Sequence, residues 1–265
     1  MIMTSDKISD IKIPIILLED FVSLGINHVY YEWQPRRVPH LLVCGSSGSG
    51  KSYLSINILA KICRYVPDAE IFICDFKSDD SFDFLGDLYL KNFYRFRDCY
   101  RGIEELYQRF QARQNRNDTS KNALFCFFDE LPSFLLTLSK KEAEEAKTWL
   151  SYLLMMGRSY SIFMIIGLQR ADASNFLAGS RDNIGLIISL GNNSKESIHM
   201  LFHSFIDQIT PDRRRGTGYM LESGSCLYKV ISPTIRDISK VHQEIINRLT
   251  AQGGRRQSLR ADQSR

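Results

Sequence analysis

The feature that most constrains this chain is the octapeptide Gly45-Ser46-Ser47-Gly48-Ser49-Gly50-Lys51-Ser52. It lies between a short apolar run, Leu41-Leu42-Val43-Cys44, and a segment with helical apolar spacing at Leu54, Ile58, Leu59 and Ile62. The pattern G-x-x-x-x-G-K-[ST] between strand and helix describes a loop whose backbone N–H groups turn inward around an anion. The helix start adds partial positive charge. Lys51 would then reach the β- and γ-phosphates of a nucleotide, and Ser52 would offer its hydroxyl to Mg²⁺. A Ser/Gly-rich turn that merely contains a lysine is the plainer alternative, and the flanking strand and helix speak against it.

Downstream the same alternation continues. Residues 71–76, 124–128, 162–168 and 185–190 read as buried strands, and residues 99–114 and 140–156 as helices. In the first of these helices Tyr100, Ile103, Leu106, Tyr107 and Phe110 share one face. Repeated βα units with continuous apolar strands predict an α/β domain with a mostly parallel central sheet covered by helices on both faces. Residues 194–209 read as one helix, residues 218–221 and 227–231 as a hairpin closed by 222–225, and residues 237–249 as a last helix. Residues 1–38 form a lead-in, with a hairpin of 11–18 and 26–33 packing on the core. The nucleotide-binding domain spans 39–250, and 251–265 is a basic tail expected to be unstructured.

Composition narrows the class. A chain of 265 residues with 44% hydrophobic and 11% aromatic side chains has enough material for a packed core, which excludes wholesale disorder. Its longest apolar runs fall short of the roughly 18–20 residues of a bilayer crossing, and no basic leader precedes an apolar segment. A cytoplasmic location without direct membrane insertion follows. Cys44, Cys63, Cys74, Cys99, Cys126 and Cys226 have neither CxxC spacing nor histidine partners, so they read as reduced, small hydrophobes. The net charge is +4, and the last fifteen residues, with four arginines against Asp262, carry +3 of it. Global charge therefore gives no licence for nucleic-acid binding, which would have to come from local patches.

A hydrolysed nucleotide needs a second anchor for its metal and a group that orients water. Phe125-Cys126-Phe127-Phe128 ends in Asp129-Glu130, about 80 residues after the loop, at the strand edge where open α/β sheets bind ligands. Asp129 would hold Mg²⁺, and Glu130 would polarise the attacking water. The alternative is an acidic N-cap at a strand-to-helix turn. Gln169, after another apolar strand, would sense the γ-phosphate at the same edge or simply face solvent. No Asn-Lys-x-Asp base-reading motif is present, so ATP is preferred over GTP.

With these motifs in order, the chain resembles the motor domain of the FtsK/SpoIIIE family of DNA-pumping ATPases, including coupling proteins of conjugative and integrative elements. The resemblance covers residues 39–231. It rests on Pro39 to Gly45 before the loop, on Cys74-Asp75-Phe76-Lys77 where the family has Asp-Pro-Lys, and on Gly157-Arg158-Ser159. Gly167-Leu168-Gln169-Arg170 and Gly216-Thr217-Gly218-Tyr219-Met220 complete it. It implies a RecA-like P-loop ATPase that forms a homo-hexameric ring and pulls double-stranded DNA through its centre. A lone domain of this kind leaves one side of its nucleotide open, and a neighbour's arginine can close it. Arg158 and Arg181 are the candidates, each with a surface arginine as the alternative. The chain departs from the family at residues 185–191, where the strand carries no basic residue. The family's membrane-anchoring N-terminus and a DNA-reading winged helix are not expected here.

Backbone-directed DNA binding needs a lining of lysine and arginine. Candidates are Arg213-Arg214-Arg215, Arg170 with Asn175, and Lys140-Lys141, although the last pair precedes Glu142, Glu144 and Glu145 as in ordinary helix-surface pairing. The leading expectation is an ATP-driven DNA translocase serving a mobile element, with a relaxase or a membrane-anchored transfer or secretion protein as possible partner. Its rivals are the ATPase of a protein-export machine and a weakly active, nucleotide-binding regulatory subunit.

Overall fold

The structure, a computed structural model, describes residues 11–86, 88, 90–170 and 179–253. Asn175 and the arginines of the tail lie outside these residues. The strands are β1 Ile13–Leu18, β2 Tyr30–Trp33, β3 Leu41–Gly45, β4 Glu70–Asp75, β5 Phe93–Arg95, β6 Leu124–Asp129, β7 Ile162–Leu168, β8 Leu186–Leu190, β9 Thr217–Glu222 and β10 Cys226–Ile231. The helices are α1 Glu19–Ser23, α2 Lys51–Tyr65, α3 Asp83–Gly86, α4 Cys99–Gln114, α5 Leu131–Thr137, α6 Lys140–Met156, α7 Lys195–Leu201 and α8 Ile238–Ala251.

All described strands join one sheet, ordered β2-β1-β10-β9-β8-β3-β7-β6-β4-β5. From β8 to β5 every neighbouring pair is parallel. From β8 to β2 every pair is antiparallel; β9 and β10 form a tight hairpin, whereas β8 reaches β9 through α7 and β1 meets β10 from the far end of the chain. Side-chain alternation splits the core in two. Phe125 and Phe127 of β6 face α2 and α8, together with Leu54, Ile58, Leu59, Val241 and Ile245. Leu124, Cys126 and Phe128 face α4, α5 and α6. The helix after β3 thus covers one face and the helices after β6 the other, so the carboxyl ends of β3, β7 and β6 frame an open crevice.

The lead-in hairpin is part of this sheet. Strand β1 pairs with β10 at Leu17–Ile231, and Trp33, fully buried, donates from Nε1 to the Val38 carbonyl at 2.8 Å while its ring meets Phe125 edge-on. None of the six cysteines is in a disulfide; five are buried and Cys226 is exposed.

The single helix expected over 194–209 is in fact two pieces. Helix α7 ends at Leu201, and a kinked 3-10 turn follows at His203–Gln208. Phe202 between them is fully buried and meets the Tyr219 ring edge-on, so tertiary packing overrides helical continuity. The last helix runs two residues past the predicted end, to Ala251. Strand β5 and helix α5 were too short to announce themselves by periodicity.

Candidate functional site

The loop from Gly45 to Ser52 sits at the carboxyl end of β3, and its close turn depends on missing side chains. A Cβ on Gly45 would lie 2.4 Å from Ser49 Oγ and 2.8 Å from the Leu190 carbonyl. Gly50 occupies the N-cap position of α2 at φ +100°, a backbone region that costs L-residues dearly. The loop closes on itself through Ser49 N to the Ser46 carbonyl at 3.1 Å. Helix α2 therefore begins with Lys51 and Ser52, its free N–H groups aimed into the crevice.

Strand β6 delivers the acidic pair. Lys51 Nζ lies 3.3 Å from Asp129 Oδ1 and 3.4 Å from Glu130 Oε2, with all three side chains nearly inaccessible to solvent. Burial makes this triad strongly coupled, since removing one charge leaves the others uncompensated. Glu130 stands at the N-cap position of α5, yet its side chain makes no capping bond and turns to Lys51 instead. Its backbone is left-handed at φ +55°, an unfavourable region for a non-glycine residue, held by Glu130 N to the Gly167 carbonyl at 3.0 Å and by Phe134 N to its own carbonyl at 3.2 Å. The plain N-cap alternative for this pair is therefore not what the geometry shows.

A cavity of about 330 Å³ opens over the loop, lined by Ser46, Ser47, Gly48, Gly50, Lys51 and Ser52 and also by Gln169, Lys77, Tyr53 and Arg215. Gln169 thus reaches the same cavity as the loop. Asp75, in register with Asp129 across β4 and β6, is buried, and this desolvation pushes its carboxyl up to about 6 despite hydrogen bonds from Ser78 N and Arg95 Nε. Arg95 continues to Asp83 Oδ1 at 2.9 Å and so braces the segment that carries Lys77. Among the described residues no cluster of three His, Cys, Asp or Glu side chains suits a metal. The hard oxygens of Ser52 and Asp129 nonetheless fit Mg²⁺, which takes few protein ligands and fills its sphere with phosphate and water.

Arg158 and Arg181 are not brought to this cavity. Both line a separate cavity of about 660 Å³, with Arg37, Pro39, Gly185 and His203, at the amino ends of β3, β7 and β8. The length of β3 alone, about 17 Å, separates the two edges, so neither arginine serves the phosphate loop of its own chain. Beneath this edge His40 is fully buried at the start of β3 and accepts from Met164 N; burial, with Arg158 nearby, pushes its pKa down to about 3.

The arginine triplet is divided by the fold. Arg213 is bound to Glu19 and lies 5.1 Å over the Tyr219 ring, which removes it from the proposed DNA lining, whereas Arg215 lines the loop cavity. Lys141 pairs with Glu145 four residues on, the ordinary helix-surface reading. Sequence reasoning missed Arg95, Tyr53 and the cavity position of Arg215, because each depends on contacts between distant segments.

Comparisons with known proteins bear on this geometry. No protein-family model matches the chain. The FtsK domain-containing protein YdcQ of Bacillus subtilis (strain 168) is 28% identical over 245 residues, an alignment covering 85% of this chain and 50% of YdcQ. The chain thus spans about half the length of that relative. EssC (ATPases 2 and 3) from Geobacillus thermodenitrificans superposes with TM-score 0.68 at 16% identity, over 92% of this chain and 49% of the other. The pCW3 conjugation coupling protein TcpA, solved with ATPγS, gives TM-score 0.68 at 19% identity, over 93% and 73%. The cytoplasmic domain of the Type VII secretion ATPase EccC of Thermomonospora curvata gives 0.66 at 18% identity, over 90% and 31%. Fold and phosphate loop together define a RecA-like P-loop ATPase fold. Within that class the chain is similar to an FtsK domain-containing protein, the resemblance its motifs suggested. Among the described residues no helix is long and apolar enough to cross a membrane.

Proposed function

We propose that this chain is an ATP-dependent, ring-forming DNA translocase that acts on double-stranded DNA in transfer or mobilisation of a mobile element. The observation that carries the reading is the buried contact of Lys51 with Asp129 and Glu130 at the mouth of the phosphate loop. In this reading the loop 45–52 holds the phosphates and Lys51 moves from the carboxylates to the β- and γ-oxygens. Ser52 and Asp129 would hold Mg²⁺, which when bound would supply charge neutralisation at the transferring phosphoryl group. Glu130 then accepts the proton of the attacking water, and Gln169 reports on the γ-phosphate. The opposite placement of Arg158 and Arg181 favours a ring, because only a second copy can present them to this nucleotide.

DNA-stimulated ATPase activity of the purified chain tests the proposal. Turnover should rise with duplex length and fall as salt increases. Robust turnover indifferent to duplex would overturn DNA pumping. Export of a polypeptide is the second reading, favoured by the similarity to EccC, named a secretion ATPase, at nearly the TM-score of TcpA. Capture of a polypeptide substrate without salt-dependent duplex binding would select it.

A further inference from the structure

Arg215 is an exposed side chain that lines the loop cavity beside Lys51 and Gln169, and among the described residues it has no ion-pair or hydrogen-bond partner. The other two cations of that cavity are engaged within the protein, Lys51 by Asp129 and Glu130 and Lys77 by Asp79. Arg213, two residues earlier, is consumed by Glu19 and Tyr219. Arg215 is thus the cation of this cavity that lacks an internal counter-charge.

The backbone beneath it is fixed from three directions. Gly216 N donates to the Ser49 carbonyl at 2.8 Å, inside the phosphate loop itself. Ser232 N donates to the Gly216 carbonyl at 2.7 Å, and Gly191 N to the Thr217 carbonyl at 2.8 Å. Thr217 N and Oγ1 both close the turn onto the Arg214 carbonyl. The held backbone fixes where this side chain starts relative to the loop, and its planar guanidinium fork matches two phosphate oxygens.

We propose that Arg215 is a phosphate-binding residue that acts in cis, gripping the nucleotide held by its own chain's loop. This rests on the nucleotide-site reading above and adds a contact that needs no neighbour. Because Gly216 is bonded to Ser49, the grip also ties the start of β9 to the occupied loop. Arg215 therefore discriminates by phosphate number: it strengthens binding of triphosphates and diphosphates and leaves monophosphates nearly unchanged.

The test is calorimetric titration of the full chain with magnesium and ATPγS, ADP or AMP, comparing the wild type with Arg215→Ala, Arg215→Lys, Arg214→Ala and Lys51→Ala, alongside duplex-DNA binding and thermal unfolding. Loss of a charged hydrogen bond predicts that Arg215→Ala weakens ATPγS by about tenfold or more. AMP should weaken by less than about twofold, since a remote exposed charge is screened. Arg215→Lys should recover part of the loss, and Arg214→Ala should bind as the wild type. If Arg215→Ala binds all three nucleotides normally while Lys51→Ala fails, the proposal is wrong and the nucleotide site stands. Weakened duplex binding with unchanged ATPγS affinity would overturn it in favour of a DNA contact. An equal loss for all nucleotides with a lowered unfolding midpoint would mark a purely structural residue, again against the proposal. A wild-type chain with no affinity for ATPγS would sink both the site and this residue's role.

Discussion

The two edges of the parallel sheet carry opposite kinds of chemistry. At the carboxyl edge, the charges at the strand ends are buried and mutually satisfied, Lys51 between Asp129 and Glu130 and Asp75 met by Arg95 and Ser78, while Arg215 beside them is exposed and unpartnered among the described residues. At the amino edge, the exposed Arg37 and Arg158 and the half-buried Arg181 border an open cavity, and the titratable group beneath them, His40, is held neutral. The first edge forms a pocket lined by residues from distant segments of one chain. The second groups three arginines around a cavity that Asp182 also lines, and none of the three has an ion pair among the described residues. In the proposed ring these are the two edges that neighbouring subunits would bring together.

The largest expected effect would break this contrast. Replacing Arg158 or Arg181 by alanine should leave ATPγS affinity of the isolated chain unchanged, yet one of the two should cost about 10³-fold in turnover of the assembled protein. Mixing that variant with Lys51→Ala subunits should restore activity, since each supplies what the other lacks. Equal turnover for both variants and the wild type would remove the amino edge from the chemistry. A smaller effect belongs to the carboxyl edge: Glu130→Gln should lower turnover by about 10²-fold or more while nucleotide binding persists, measured by single-turnover hydrolysis against equilibrium titration.

The core beneath both edges offers a third measure. Phe127→Ala removes a fully buried ring between α2 and β6 and should cost about 3–5 kcal/mol in denaturant unfolding. A loss well below 1 kcal/mol would mean that this ring is not packed as described.

The smallest effects are titrations of opposite sign. His40, pushed down to about 3 from an ordinary 6.5, cannot take a proton that the unfolded chain accepts, so it removes stability as pH falls below about 6.5. Asp75, pushed up to about 6 from 3.8, holds a proton that the unfolded chain has released, so it adds stability as pH falls from about 6 to about 4. Each has a limiting slope of about 1.4 kcal/mol per pH unit, and over pH 4–6 the two oppose each other. Asp75→Asn should therefore steepen the acid loss of stability, and His40→Asn should reduce or reverse it, as read from urea midpoints. Parallel pH curves for the two variants would show that neither group is perturbed as described.

Much of this was legible in the chain because the signals are local. The phosphate loop needs only eight consecutive residues, with a strand before and a helix after. Strand β6 declares itself by an unbroken apolar run ending in Asp129-Glu130, and helices α4 and α6 coincide with the ranges read from periodicity. The break at Phe202 was not legible, since the ring it meets, Tyr219, belongs to the distant strand β9. Nor could the arginine triplet be divided in advance: Glu19, which binds Arg213, is nearly two hundred residues away in sequence.

Sequence alone therefore determined the chemistry available: a phosphate loop, two carboxylates at a strand end, and a sheet built from βα units. These depend on short-range patterns of side-chain type, which hydrophobic burial and backbone geometry convert into structure without reference to distant residues. Tertiary structure alone decided which cations share the nucleotide cavity and which stand about 17 Å away at the other edge. The reason is that strand order is set by long-range pairing, and the position of a side chain along a strand, toward one end or the other, becomes a location in space only when the sheet is assembled.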